Sequence, residues 1–147
     1  MPHSREQLLK SAQNFCSAFS EKRSVEEILS HFSVTHEVSA IEYGAQTLAP
    51  FLGRQFLGIS GVKQYFDVIG SLLSYENVSF SEYMVDAVSL KVSVKGRGRF
   101  TWLSTSQSWD ETFTYTLDFD DELKLVRYQV WADSGSAYLA KLGKLAE

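Results

Sequence analysis

Cysteine occurs once, at Cys16, so no internal disulfide can staple this chain and its stability must rest on a packed core. A lone thiol fits a reducing compartment, and within a helical pattern Cys16 reads as a small core residue. Only three histidines are present, His3, His31 and His36, widely spread and without a CxxC or HExxH pattern. That argues against a structural or catalytic zinc site, and no motif calls for a cofactor. No segment approaches the roughly 18 apolar residues of a membrane span, and "MPHSREQLLKSAQNF" lacks the apolar core of a signal peptide. A soluble, cytoplasmic protein is the expectation. The formal net charge of -4 leaves no basic footprint, which excludes nucleic acid and anionic lipid as main partners. A single "GRGRF" on an alternating strand reads as a bent strand rather than an RNA-binding segment. Repeats and Pro/Gly/Ser linkers are also missing, so residues 1–147 are expected to form one domain.

Aromatic residues, by contrast, are abundant: 14% of the chain, with Phe 10, Tyr 7 and Trp 3. A chain of 147 residues buries about two thirds of its unfolded surface, and this surplus is enough to line a cavity as well as fill a core. Ser4 can cap a first helix in which Leu8, Ala12, Phe15 and Phe19 recur at helical spacing, with Leu9 and Cys16 widening the stripe. "SVEE" from Ser24 matches a capping box for a short second helix carrying Val25, Ile28, Leu29 and Phe32. Residues 34–43 alternate as a strand and lead into a loop with Pro50 and several glycines. Over residues 60–73, Val62, Tyr65, Phe66, Ile69, Leu72 and Leu73 mark the clearest helix.

Beyond Ser74 the period changes from 3.6 to 2. "ENVSFSEYMV" is one strand. In "VSLKVSVKGRGRFTW", Val88, Leu90, Val92, Val94, Phe100 and Trp102 share a face, and Gly96 and Gly98 on that face permit a bend or leave open volume. "SWDETFTYTLDFD" alternates Trp109, Phe113, Tyr115, Leu117 and Phe119 against polar residues, and "DFDDE" supplies a turn. A last strand, "LKLVRYQVWA", enters a closing helix, "GSAYLAKLGKL", with Tyr138, Leu139 and Leu142 apolar and Gly143 fraying its end. One-faced strands need a cover, and the early helices each have an apolar stripe to bury. The expected fold is α+β: a cone-shaped, strongly bent antiparallel sheet whose concave face is covered by the N-terminal helices.

This order, with "PFLGRQFLGISGVKQYF" before the long strands and "VWADSGSAYLAKLG" at the end, resembles the nuclear transport factor two-like superfamily. Within it the chain looks most like the SnoaL-like branch, which includes polyketide cyclases and small fungal proteins. The resemblance spans roughly residues 5–145. It implies a hydrophobic pocket, frequent dimers through the open sheet, and activities ranging from isomerases, dehydratases and cyclases to plain binding modules. Fold alone therefore does not decide function.

Polar residues that interrupt an inward apolar face are the candidates for chemistry, because burying them is costly without a partner. On the strand 34–42 these are His36 and Glu42, and on the strand 109–119 Glu111 is the sole one. A carboxyl under aromatic walls has a raised pKa and serves as base or neutral acid near pH 7, whereas its plainer reading is an ion pair. His36 could relay protons, or simply be hydrogen-bonded in the core. Asp133 stands where a helix cap belongs, and either it or Ser134 could fill that role. The resemblance places a carboxylate near this strand end as acid/base, but SnoaL-like cyclases carry an acid directly after the Trp, where this chain has Ala132.

Parity on the closing strand is open, with Val126, Tyr128 and Val130 on one side and Arg127, Gln129, Trp131 and Asp133 on the other. Tyr43, Tyr65, Tyr115 and Tyr128 could donate phenolic hydrogen bonds to a developing oxyanion. The expected catalytic set is Glu111, Asp133, His36 and Glu42, with aromatic walls from Tyr43, Phe56, Tyr65, Phe80, Trp102, Trp109, Tyr115 and Trp131. The expected ligand is a small hydrophobic, polyketide- or terpenoid-like molecule, isomerised, cyclised or dehydrated without a cofactor by a homodimer. The alternative is a non-catalytic dimeric module binding a ligand or a protein.

Overall fold

A computed structural model describes residues 3–145. Helix α1 (Arg5–Ser20) opens on a full capping box: Ser4 Oγ accepts from the Gln7 amide while the Gln7 side chain accepts from the Ser4 amide. Two orphan donors of the first turn are thereby satisfied. Leu8, Ala12, Phe15 and Phe19 are all buried, and Cys16 lies beside them. Burial pushes the Cys16 thiol up to about 12, so it is an inert core residue. The short α2 (Val25–Leu29) is capped by Ser24, which accepts from the Glu27 amide.

Strand β1 (Ser39–Tyr43) is followed by a two-residue β2 (Phe56–Leu57), helix α3 (Gly58–Leu72) and the long strands β3 (Leu73–Asp86), β4 (Lys91–Trp102) and β5 (Gln107–Phe119). Strand β6 (Leu125–Trp131) and helix α4 (Ser134–Lys141) close the chain. The strands form one six-stranded sheet in the order β2-β1-β6-β5-β4-β3. β1 and β6 run parallel, a correction to the all-antiparallel expectation. Parallel neighbours need a long connection, and these two lie at opposite ends of the chain.

The expected strand over 34–43 begins only at Ser39. Ser33 Oγ accepts from the amides of Thr35 and His36, a local turn that competes with the sheet ladder. Two register shifts bend β3, between Glu76 and Ser79 and between Ser81 and Met84, and Asn77 and Glu82 take positive φ there. Val88 is 95% exposed and Leu90 also has positive φ, so β4 starts at Lys91 rather than Val88.

Helices α1 and α3 pack on the inner face of the sheet, where Phe15 and Phe19 meet Tyr115 and Tyr128, and α4 packs against β4 and β5. Gly96 and Gly98 do not leave open volume. Gly96 faces Phe113 across the ladder, and a Cβ there would lie 2.2 Å from that ring. At Gly98 it would lie 2.8 Å from Val78. The missing side chains admit their neighbours. In α4 the buried residues are Ala137 and Ala140, whereas Leu139 and Leu142 are exposed, since small side chains let the helix approach the sheet. Gly143, at φ 73°, ends the helix in the left-handed conformation that favours glycine.

Candidate functional site

A cavity of about 260 Å³ lies between the inner face of the sheet and helices α1 to α4. Its wall is mostly aromatic, with Phe19, Tyr65, Phe66, Trp109, Phe113, Tyr115 and Tyr128 among the lining residues. Three carboxyl groups interrupt it: Glu42 from β1, Glu111 from β5 and Asp133 from the β6–α4 junction.

Glu42 alternates inward with Ala40 and is 8% exposed. The Tyr65 hydroxyl, arriving from α3, donates to its Oε1 at 2.7 Å. Burial pushes the Glu42 carboxyl from the ordinary 4.5 up to about 7; the Tyr65 bond opposes the shift and the charge of Glu111 adds to it. Tyr65 and Tyr115 each lie beside Tyr128, close enough for its hydroxyl to alter their ionisation, with burial the main cause in all three raised phenols. These hydroxyls are held inside, not at the surface.

Glu111 lies on the same face as Trp109, two residues before it, and the Trp109 indole N–H donates to Glu111 Oε1 at 2.7 Å. Burial raises this carboxyl too, from 4.5 to about 7. The indole bond opposes that rise, the Asp133 charge assists it, and the Asp133 backbone amide counters it by hydrogen bonding. Asp133 is itself the N-cap of α4, its Oδ1 accepting from the Ser136 amide at 3.0 Å, while Ser134 is the first helical residue. The cap and the cavity rim are one residue.

Six expected site residues do not line the cavity. His36 is outside the sheet, with its side chain 58% exposed and Nδ1 3.5 Å from Asp120 Oδ2. It faces the β5–β6 turn because its strand starts at Ser39, five residues later than the alternation implied. Tyr43 and Trp131 lie on the outer face, stacked at 4.7 Å, with Trp131 45% exposed. The register settles the parity of β6: Tyr128 and Val130 point into the cavity, and Gln129 is covered by Tyr43, whose hydroxyl is 2.6 Å from its amide. Trp102 is buried near Phe51, outside the lining. Phe56 and Phe80 form a second layer, Phe56 behind Tyr65 and Phe80 behind Phe113 and Tyr115.

Tyr65, Trp109 and Tyr115 line the cavity as expected. Lining residues beyond those expected include Phe19 and Phe66, visible as helical stripes, Phe113, which shares parity with Trp109, and Phe100, which lies opposite Trp109 in the ladder. Among the described residues no group of three or more His, Cys, Asp or Glu could hold a metal ion. No described helix is long and apolar enough to cross a membrane.

No family model and no curated protein matches the sequence. Solved structures do match. An NTF2-like protein of unknown function from Burkholderia pseudomallei superposes with a TM-score of 0.77 at 14% identity, covering 94% of this chain and 98% of that one. The chain has the nuclear transport factor two-like fold. BvnE pinacolase from Penicillium brevicompactum shares this fold with a TM-score of 0.70 and 19% identity, over 98% of this chain and 96% of that one. AusH from Aspergillus nidulans does so at 0.67 and 21%, over 90% and 88%. In this fold the sheet supplies the floor of the cavity, the helices its cover, and the acids lie on the floor and rim.

Proposed function

We propose that this protein binds a small hydrophobic molecule, of polyketide or terpenoid type, and isomerises, cyclises or dehydrates it by carboxyl acid/base chemistry without a cofactor. The observation that carries this reading is the presence of two carboxyls, Glu42 and Glu111, in one aromatic cavity, both pushed up to about 7. A carboxyl poised near neutral pH can take a proton from carbon or oxygen and return it elsewhere on the same ligand. The aromatic walls would exclude water and hold a flat or polycyclic body. A pinacolase of the same fold supports rearrangement chemistry as one member of this class.

The test uses a panel of polycyclic ketones in deuterium oxide, with exchange at carbon next to the carbonyl followed by NMR. Binding is read independently from quenching of tryptophan fluorescence. Wild type is expected to bind and to exchange, and Glu111→Gln to bind while exchanging at least about 100-fold more slowly. Binding without exchange in wild type would leave a non-catalytic carrier. No binding across the panel would remove the reading altogether.

The stacked, exposed Tyr43–Trp131 pair on the outer sheet favours pairing of two copies through that face. Trp131→Ala is expected to give a monomer by light scattering.

A further inference from the structure

The two cavity carboxyls do not occupy equivalent surroundings. Glu111 is half-buried and accepts from the Trp109 indole at 2.7 Å, with the Asp133 backbone amide close enough to favour its charged form as well. The N-terminal end of α4, which Asp133 caps, favours that form too. Glu42 is buried more deeply, and one phenol, Tyr65, is its hydrogen-bond partner. The carboxyl with less water and fewer donors is the costlier one to ionise.

We propose that the pair divides the work: Glu111 is the proton acceptor of the site, and Glu42, the more deeply buried of the two, is the neutral acid that donates. This rests on the proposed acid/base function and assigns the roles within it. One proton held by the pair suits a reaction that removes a proton at one point of the ligand and delivers one at another. Glu111 accepts the ligand's proton on its oxygen as the C–H or O–H bond breaks. Glu42 releases its own to the oxygen or carbon that gains electron density, so the ligand's proton count is unchanged; a proton then leaves Glu111 for solvent and one from solvent restores Glu42, which closes the cycle. Environments that push two acids apart are what separates a base from an acid at one pH.

Titratable groups face the pair from several elements, and Tyr75 of β3 and Tyr115 of β5 also stand on the cavity wall. Tyr65 on α3 and Tyr128 on β6 face Glu42, and Asp133 at the head of α4 faces Glu111. The nearest β4 cations, Arg97 and Arg99, alternate to the outer face, where Arg99 pairs with Asp110 at 3.2 Å. Arg23 lines the cavity from the α1–α2 junction and is engaged by Glu21 at 2.9 Å.

The experiment is a pH titration of protein carrying carbon-13 at the glutamate carboxyls, followed by NMR without any ligand. Wild type should show two elevated midpoints. Glu111→Gln should remove the lower one and move the remaining one down by on the order of one unit, because the neighbouring charge is gone. Glu42→Gln should remove the higher one and move the lower one far less. Removal of the lower midpoint by Glu42→Gln would reverse the roles, and unmoved midpoints in both variants would deny the coupling.

Two milder variants cover a failure to fold. Trp109→Phe should raise the lower midpoint, and Tyr65→Phe should raise the higher one; a swap of these effects also overturns the assignment. Because no ligand is present, failure of the panel assay counts against the proposed function alone, and a reversed titration counts against the division of labour alone.

Discussion

The Trp109 indole N–H and the Glu111 carboxyl meet at 2.7 Å on a single face of one strand, two residues apart. A strand puts alternate side chains on the same side, so an aromatic donor and an acid at this spacing form a unit that the backbone itself assembles. Glu42 and Tyr65 form the second unit at the same distance, but from a strand and a helix 23 residues apart. The two units approach within one cavity because β1, β6 and β5 are neighbours in the sheet.

Stability should depend on pH in a direction set by these acids. Each has a folded midpoint near 7 against an ordinary 4.5, so folding takes up protons between those values. Their stabilising contribution is complete below about 4.5 and is lost as pH rises through 7. Wild type is expected to lose stability from pH 5 to 8, and Glu42→Gln to exceed it by about 1–3 kcal/mol at pH 8. Urea denaturation across that range checks this. Parallel curves for the two proteins would contradict it.

Gly96 should tolerate no side chain. Its Cβ would lie 2.2 Å from the Phe113 ring in the centre of the sheet, where neither neighbour can retreat. Gly96→Ala is expected to cost about 1–3 kcal/mol, with part regained on adding Phe113→Leu. A double-mutant cycle in denaturant measures the coupling, and additive costs would show that the contact is relieved elsewhere.

Much of the architecture was legible from periodicity, because α1 and the strands β4 and β5 each bury one face. Glu111 was found that way: an acid within a Trp, Phe, Tyr series can only face the cavity. His36 was misplaced by the same rule, since Ser33 captures the amides of Thr35 and His36 and delays the strand. Alternation identifies a face but not its occupant, which is why Gly96 could read as a bend or as open volume and holds Phe113. The closing strand was ambiguous because both parities carry an aromatic; only pairing with β1 and β5 turns Tyr128 in and Trp131 out.

That geometry separates residues whose replacement should be felt in the cavity from those whose replacement should not. His36→Ala and Trp131→Ala are expected to leave binding of an apolar fluorescent dye within about twofold, the scatter of substitutions remote from a site. Tyr115→Ala should weaken it by about tenfold through a lost ring contact. Dye titrations of the three variants provide the comparison. A large loss in Trp131→Ala would place the ligand on the outer face.

Asp133 performs two tasks that two substitutions can separate. As the N-cap of α4 it accepts from the Ser136 amide, and as a charge on the cavity rim it opposes ionisation of Glu111. Asp133→Ala removes both and is expected to cost about 1 kcal/mol while lowering the Glu111 midpoint. Asp133→Asn keeps an oxygen that can cap, so its stability should stay near wild type although the Glu111 midpoint falls as far as in the Ala variant. Denaturation reads the cap, and the shift of the Trp109 indole N–H with pH reads the charge. If Asn proves as unstable as Ala, or if neither variant moves the midpoint, Asp133 does not combine the two tasks.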